Sequence, residues 1–91
     1  MAIAAHTGVK PYRFLTDLSH GWLEVPIREV QELGIDSMLT NGSKVNQDAV
    51  YLEDVHDAQI FIRAQENHGQ KLKIIPYHTS QSEINHFRPY K

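Results

Sequence analysis

Histidine is the residue type in this chain with the widest chemical reach, because imidazole can bind a metal ion or exchange a proton near neutral pH. Six histidines occur in 91 residues. No two are three or four residues apart, the spacing that puts two zinc ligands on one helix, and the chain has no cysteine. His20, His56 and His78 fall near predicted strand ends and are the candidates for a metal site. Surface or capping roles are the commoner alternative.

Two other groups contain the residue types of catalysis. The turn Asp17–His20 supplies an acid, a serine and a base, but neighbours in one tight turn rarely adopt triad geometry. Glu53, Asp54 and Asp57 could act as paired carboxylates, although Asp54 or Asp57 is more simply a cap for the next helix. The five glycines are dispersed and form no phosphate loop. The sequence therefore predicts a protein that is not an enzyme and needs no cofactor.

Aromatic side chains are the candidates for binding a partner. Trp22 lies in the middle of a predicted strand, where a core anchor is the default and an interface hot spot the alternative. The last fifteen residues contain Tyr77, Phe87, Arg88 and Tyr90. This mixture is typical of a strap folded over the sheet or of an arm that binds a partner. These five residues are the predicted binding set.

Hydrophobic periodicity and turn residues predict seven elements that position these side chains. The pattern gives strands at 11–15 and 22–25, a helix from Pro26 to Gly34, a hairpin with arms 38–40 and 43–45 around Asn41-Gly42, a strand at 49–52, a helix at 58–67 and a strand at 71–75 stopped by Pro76. In the first helix Ile27, Val30 and Leu33 form the apolar stripe, and Glu29 is expected in water. In the last strand, lysines alternate with apolar residues, as on a sheet edge.

The order β-β-α-β-β-α-β with short connections predicts an α+β domain. We expect an antiparallel or mixed sheet of about four to five strands with both helices on one face. The predicted divisions are a loose N-terminal arm at 1–10, the α+β domain at 11–76, and a C-terminal tail at 77–91 that packs on the domain or binds a partner. The absence of cysteine and of any long apolar run predicts a cytoplasmic protein outside the membrane.

Charge is unevenly distributed along the chain. Ten acidic and three basic residues lie between Asp17 and Glu66, a local balance of −7 within an overall charge of −2. This balance argues against nucleic acid as a partner, because its binding needs basic surface that displaces counterions. An acidic middle suits a basic protein partner or, more often, a solvated face that aids solubility.

Four phrases in the chain stand out as a set. They are His20-Gly-Trp-Leu-Glu-Val-Pro26, Leu33-Gly-Ile35, Val50-Tyr-Leu-Glu-Asp54 and Asp57-Ala-Gln-Ile-Phe61. In order and spacing they resemble a group of short uncharacterised proteins encoded by bacteriophages, prophages and plasmids, over about residues 14–74. The chain departs from that group at 40–44, where a Tyr-Ser-Tyr-Gln-like run is expected, and at 53–57. The resemblance implies a genomic setting and assigns no catalytic residue.

Three hypotheses of function follow from the sequence. The first is a non-catalytic binding module of a mobile element that modulates a host protein, for example by inhibiting a defence nuclease. The second is a metal-assisted hydrolase that uses His20, His56, His78 and nearby acids. The third is an accessory protein that pairs with its own copy, as a homodimer, through the strand Lys71–Ile75 or the tail.

Overall fold

The structure is a computed structural model that describes residues 8–16, 20–40, 42–78 and 83–91. It confirms the predicted α+β class, with two helices and a six-stranded mixed sheet in the described part of the chain. The strands are β1 Val9–Thr16, β2 Gly21–Pro26, β3 Lys44–Asn46, β4 Ala49–Glu53, β5 Lys71–His78 and β6 Arg88–Pro89. The helices are α1 Ile27–Leu33 and α2 Asp57–Asn67, and short 3-10 turns occur at Asp36–Met38 and Glu83–His86.

The strand order in the sheet is β5-β1-β2-β4-β3-β6. The β1–β5 pair is parallel, with Val9 opposite Lys71 and Thr16 opposite His78. The other pairs are antiparallel, including the β1–β2 pair that the sequence predicts. The strands β5 and β6 are therefore the two edges, and β1 and β2 lie inside the sheet.

Side chains alternate between the two sheet faces and build two apolar clusters. On one face, residues such as Leu23 and Val25 of β2 pack with Val30 of α1 and Phe61 of α2, all of them fully or almost fully buried. On the other face, Trp22 packs in a smaller cluster whose members are Leu15, Trp22, Tyr51 and Ile84. Both helices thus cover one face, and the C-terminal segment covers part of the other. Neither helix among the described residues is long and apolar enough to cross a membrane.

The first helix has the predicted apolar stripe and the predicted stop, with one exception. Pro26 is extended at the residue before the helix, and Gly34 ends the helix in the left-handed conformation, at φ 68°, which glycine adopts without a steric penalty. Val30 is fully buried as expected. Glu29, which the sequence assigns to water, is only 4% exposed. That assignment is wrong because Glu29 points to polar partners from β1 and α2.

Two local predictions around residues 38–57 are wrong, and they have one cause. Met38 lies in a 3-10 turn and Thr40 is not in a strand, so the first arm of the expected hairpin does not form. No side-chain cap precedes α2 either, because the carboxylate of Asp57 accepts hydrogen bonds from Thr40 instead of from its own helix. The backbone amide of Thr40 is consequently not available for a strand ladder. Asn41 lies outside the described residues.

The last long strand does not stop at Pro76 but continues to His78. A proline is tolerated there because β5 is an edge strand, where a missing N–H need not break a ladder. The predicted edge position of this strand is confirmed. The strand β1 starts at Val9, two residues before the predicted Pro11.

Candidate binding surface

The three candidate metal ligands lie toward one end of the sheet but do not form a site. Thr16 is opposite both His78 and Gly21, which places His20 and His78 at the same strand ends. His56 follows the end of β4; its Nδ1 lies 2.8 Å from Asp57 Oδ1, whereas the His20 ring stacks on Trp22 at 5.8 Å. Within residues 8–16, 20–40, 42–78 and 83–91, no group of three histidines or acids could hold a metal ion. The geometry therefore gives the hydrolase hypothesis no support.

Asp57, one of the three acids with catalytic potential, is used inside the fold. Asp57 is fully buried and accepts hydrogen bonds from Ser43 Oγ at 2.5 Å and from the backbone and hydroxyl groups of Thr40 at 2.9–3.0 Å. Ser43 is also fully buried, and its Oγ accepts from the Glu53 amide at 3.0 Å. A buried hydroxyl with both sides occupied cannot reach a substrate. Asp17 and Ser19, of the predicted turn, lie outside the described residues.

Asp57 is held as a carboxylate by these donors. Burial acts to raise its pKa, but hydrogen bonds from His56, Ser43 and Thr40 outweigh burial, so the pKa lies below its ordinary value. The group therefore ties the start of α2 to the segment before β3 in its charged form. This is the role of a structural anchor.

A second buried polar group joins β1 to both helices. Glu29 Oε1 accepts from Tyr12 Oη at 2.6 Å and from Gln65 Nε2 at 3.1 Å, and Glu29 Oε2 accepts from Lys10 Nζ at 2.6 Å. Gln65 Nε2 also donates to Tyr12 Oη at 2.9 Å. Burial, together with the hydrogen bond to Glu29, raises the pKa of Tyr12. Every member of this cluster has a partner, so it offers no free group for a ligand.

The predicted binding residues separate into three places. Trp22 is 3% exposed and belongs to the smaller core cluster; its indole N–H has no hydrogen-bond partner among the described residues. Phe87 packs on Tyr51 with ring centroids 5.2 Å apart. Arg88 is exposed in β6, and the Tyr90 hydroxyl donates to Asp36. These tail residues bind the chain itself, as a strap does. Tyr77 lies on β5, at the opposite edge of the sheet.

Exposed apolar side chains concentrate at that β5 edge. Six large hydrophobic residues of the described chain are markedly exposed, and four of them belong to β1 or β5: Val9, Ile74, Ile75 and Tyr77. Lys71 and Lys73 are exposed on the same strand. We call these six residues the edge surface. Ile74 lies on the helix-covered face and Val9, Ile75 and Tyr77 lie on the other, so the edge surface wraps around the sheet edge. Apolar side chains gathered at one edge beside charge favour an interaction site, whereas singly scattered apolar residues do not.

The edge surface is ordered by an arginine that the sequence analysis did not identify. The Arg13 guanidinium lies 5.2 Å from the centre of the Tyr77 ring. Its Nε and Nη2 donate to the two carboxylate oxygens of Glu24 at 2.7 and 2.8 Å, and Tyr51 Oη also donates to Glu24 at 2.9 Å. This pairing lowers the pKa of Glu24 although burial opposes it, while burial and Glu24 raise the pKa of Tyr51 to about 12. One face of the exposed Tyr77 ring is therefore in contact with Arg13, which is itself held by Glu24.

A cleft of about 490 Å³ lies beside this pair, where β1 and β2 diverge at Pro11 and Pro26. It is lined by both cations and carboxylates. Lys10 is paired with Glu29 and Arg13 with Glu24, and the two other lining charges, Arg28 and Asp48, are opposite in sign. The cleft consequently favours no ion of either sign, and the edge surface is the better candidate.

The sequence contains a signal for the Arg13–Glu24 pair. Both residues occupy positions in apolar strands that alternation assigns to the same face as Leu15 and Trp22. A charged residue in the middle of each of two neighbouring strands favours a cross-strand ion pair.

Comparison with known proteins gives no relative for this chain. No family model, no curated protein and no solved structure matches it.

Proposed function

We propose that this chain is a non-catalytic module of a mobile genetic element that binds a host protein through the edge surface. The observation that carries the proposal is the concentration of exposed apolar side chains on β1 and β5, with Tyr77 51% and Val9 54% exposed. The resemblance to phage- and plasmid-encoded proteins supports the choice of a host protein as partner.

The geometry of Tyr77 supports a role as an anchor. Interface hot spots are enriched in tyrosine and arginine, and a side chain that is already oriented loses less entropy on binding. Arg13 stacks on Tyr77 and is held by both oxygens of Glu24. The ring is therefore oriented before any partner arrives.

Three acids of the acidic middle are not available to a partner. Glu24, Glu29 and Asp57 are engaged inside the protein. Asp48 and Asp54, which are exposed, lie at opposite ends of β4. The proposal therefore depends on the edge surface rather than on the acidic middle.

Site-specific crosslinking in a bacterial host tests this proposal. A photoreactive phenylalanine replaces Tyr77 in one variant and Met38 in the matched control, because Met38 is similarly exposed, at 55%, but lies outside the edge surface. We expect one host protein to be crosslinked from position 77 and not from position 38. That protein is then purified and its affinity for the chain is measured.

The affinity measurement uses paired substitutions. Ile75→Ala with Tyr77→Ala should weaken binding by about tenfold or more, as loss of hot-spot side chains does. Met38→Ala with Val55→Ala, which also removes exposed apolar side chains, should leave the affinity unchanged. Equal affinity of both double variants, or crosslinking of the chain only to its own copy, contradicts the proposal. Circular dichroism confirms that the variants are folded.

A further inference from the structure

The strand β5 has one paired edge and one open edge in the described part of the chain. It pairs with β1 over its full length, from Lys71 to His78, and it is the terminal strand of the sheet. Successive residues of a strand direct their backbone N–H and C=O groups to opposite sides. About half of the backbone groups of β5 therefore point away from β1, and such a row is a template for another strand.

We propose that the partner adds an extended strand to β5 and that this strand carries carboxylates in alternation with aliphatic side chains. This inference rests on the proposed function, because it names the chemistry of the partner at the edge surface. It follows from the charges of the residues Lys71–Ile75 and from the sheet face on which each side chain lies.

The two faces of β5 differ in chemistry. Lys71 and Lys73 lie on the face without helices, and neither has an ion-pair partner among the described residues. Leu72 and Ile74 lie on the helix-covered face, where Leu72 packs against the main apolar cluster. Side chains of adjacent strands interact with those directly opposite on the same face. A strand with carboxylates beside the lysines and aliphatic groups beside Leu72 and Ile74 therefore complements both faces.

A second copy of the chain does not satisfy these lysines. The strand Lys71–His78 contains no aspartate or glutamate, so two copies paired through β5 would place no carboxylate opposite either lysine. Some registers would place lysine directly opposite lysine, which is unfavourable. Charge complementarity thus favours a foreign acidic strand over self-pairing.

Proline limits the length of the added strand. Pro76 has no N–H to donate, so one backbone position of β5 cannot contribute a donor to either edge. The open-edge donors before Pro76 come from alternate residues of Lys71–Ile75, and a partner segment of about five to seven residues matches this stretch. Tyr77 lies just beyond this stretch, on the same face as the lysines, where it can contact the end of the added strand.

A synthetic peptide tests the strand without the natural partner. The probe is a capped seven-residue peptide with glutamate and valine alternating in its centre, and the control peptide has lysine in place of glutamate. Binding is titrated by NMR on the full, isotope-labelled chain. We expect the glutamate peptide to shift the amides of residues 71–75 and to bind at least tenfold more tightly than the lysine peptide.

Charge reversal and backbone methylation separate the two parts of the inference. Lys71→Glu with Lys73→Glu should weaken the glutamate peptide about tenfold and strengthen the lysine peptide. Arg28→Glu with Arg63→Glu makes the same change in net charge on exposed helix positions and should change neither affinity. Methylating the backbone nitrogens of the valines or of the glutamates should abolish binding for one set only, since only one set faces β5.

Three results would overturn the inference. They are equal affinity of the two peptides, loss of binding in the helix double variant, and equal effects of the two methylation patterns. If crosslinking from position 77 identifies a host protein while the peptide behaves in any of these ways, strand addition is wrong and the proposed function stands. If the peptide binds as expected and no host protein is crosslinked, the edge chemistry stands and the proposed function is wrong.

Discussion

Replacing Asp57 by asparagine keeps the shape of the side chain and removes its negative charge. In the protein this carboxylate is fully buried and accepts hydrogen bonds from Ser43 Oγ and from two groups of Thr40, at 2.5–3.0 Å. All three donors reach Oδ2, so an asparagine oxygen in that place keeps them as neutral hydrogen bonds. The amide group then replaces Oδ1, which accepts from the Thr40 amide at 3.0 Å and lies 2.8 Å from His56 Nδ1, so these two contacts lose their acceptor. The anchor between α2 and the segment before β3 is thereby weakened.

The loss can be estimated from the hydrogen bonds. A bond to a charged group contributes about 1.5–3 kcal/mol, and we count two such bonds as lost, so Asp57→Asn should reduce the free energy of unfolding by about 3–6 kcal/mol. For a domain of this size each kcal/mol lowers the melting temperature by about 5 °C, so it should fall by about 15–30 °C. Ser43→Ala removes both a donor to Asp57 and the acceptor of the Glu53 amide, and should cost about 2–4 kcal/mol.

The dependence on pH follows from the lowered pKa of Asp57. A carboxyl whose pKa is lower in the folded than in the unfolded state stabilises the fold above its unfolded pKa, which is about 3.9. That contribution is lost as the pH falls through the folded pKa. The stability difference between the native chain and Asp57→Asn should therefore be constant from neutral pH down to about pH 5 and should shrink below it. Glu24, whose pKa is also lowered, titrates in both proteins and cancels in the difference.

Urea unfolding followed by circular dichroism at several pH values measures this difference. Asp48→Asn is the matched control, because Asp48 is exposed in the turn between β3 and β4 and should leave stability within about 0.5 kcal/mol of the native value. The reasoning is refuted if Asp57→Asn destabilises no more than the control, or if the native chain and Asp57→Asn lose stability in parallel down to pH 2.

Three further predictions concern stability. Tyr12→Phe, which removes the hydroxyl between Glu29 and Gln65, should cost about 1–3 kcal/mol in urea unfolding, whereas Tyr77→Phe on the exposed edge should cost almost nothing. Val55→Asn should raise the melting temperature by a few degrees, because Val55 is 78% exposed and has a φ of 78°, where a β-branched residue is strained. The control Val9→Asn, at a position with ordinary φ, should not raise the melting temperature. Ile84→Ala should reduce the free energy of unfolding by about 2–4 kcal/mol and shift the fluorescence of Trp22, the only tryptophan, to the red. Unchanged emission would contradict the packing of the C-terminal segment on Trp22.

Elements with a strong local signal were predictable from the sequence. The apolar run around Trp22 predicts a buried strand, the stripe that includes Val30 predicts the buried side of α1, and Gly34 predicts a helix end. The lysines of Lys71–Ile75 correctly predicted an edge strand. In each case the residues that determine the element lie within one turn or one strand, so the local sequence is enough to predict it.

The polar groups were not predictable in the same way, because their partners are distant in the chain. Glu29 looks like a surface residue of α1 until Tyr12 and Gln65 are brought beside it. Asp57 looks like a helix cap in the sequence, but its carboxylate accepts a hydrogen bond from the Thr40 amide. That amide is the one that a strand before an Asn-Gly hairpin would need. The edge surface itself required the strand order, since nothing local says that Val9 and Tyr77 belong to adjacent strands.

The parallel pairing of β1 with β5 also determines the order in which the sheet can be completed. During synthesis β1, β2, α1, β3, β4 and α2 all leave the ribosome before β5, so Val9–Thr16 has an open side for most of that time. Pairings between segments far apart in sequence form slowly, because the loop between them must be closed first. The nascent chain therefore exposes a β1 edge that the finished protein covers, and this interval is when premature strand exchange and aggregation compete with folding. When β5 pairs with β1, it covers this transient edge. The open edge of the finished sheet is then β5 itself, which carries lysines.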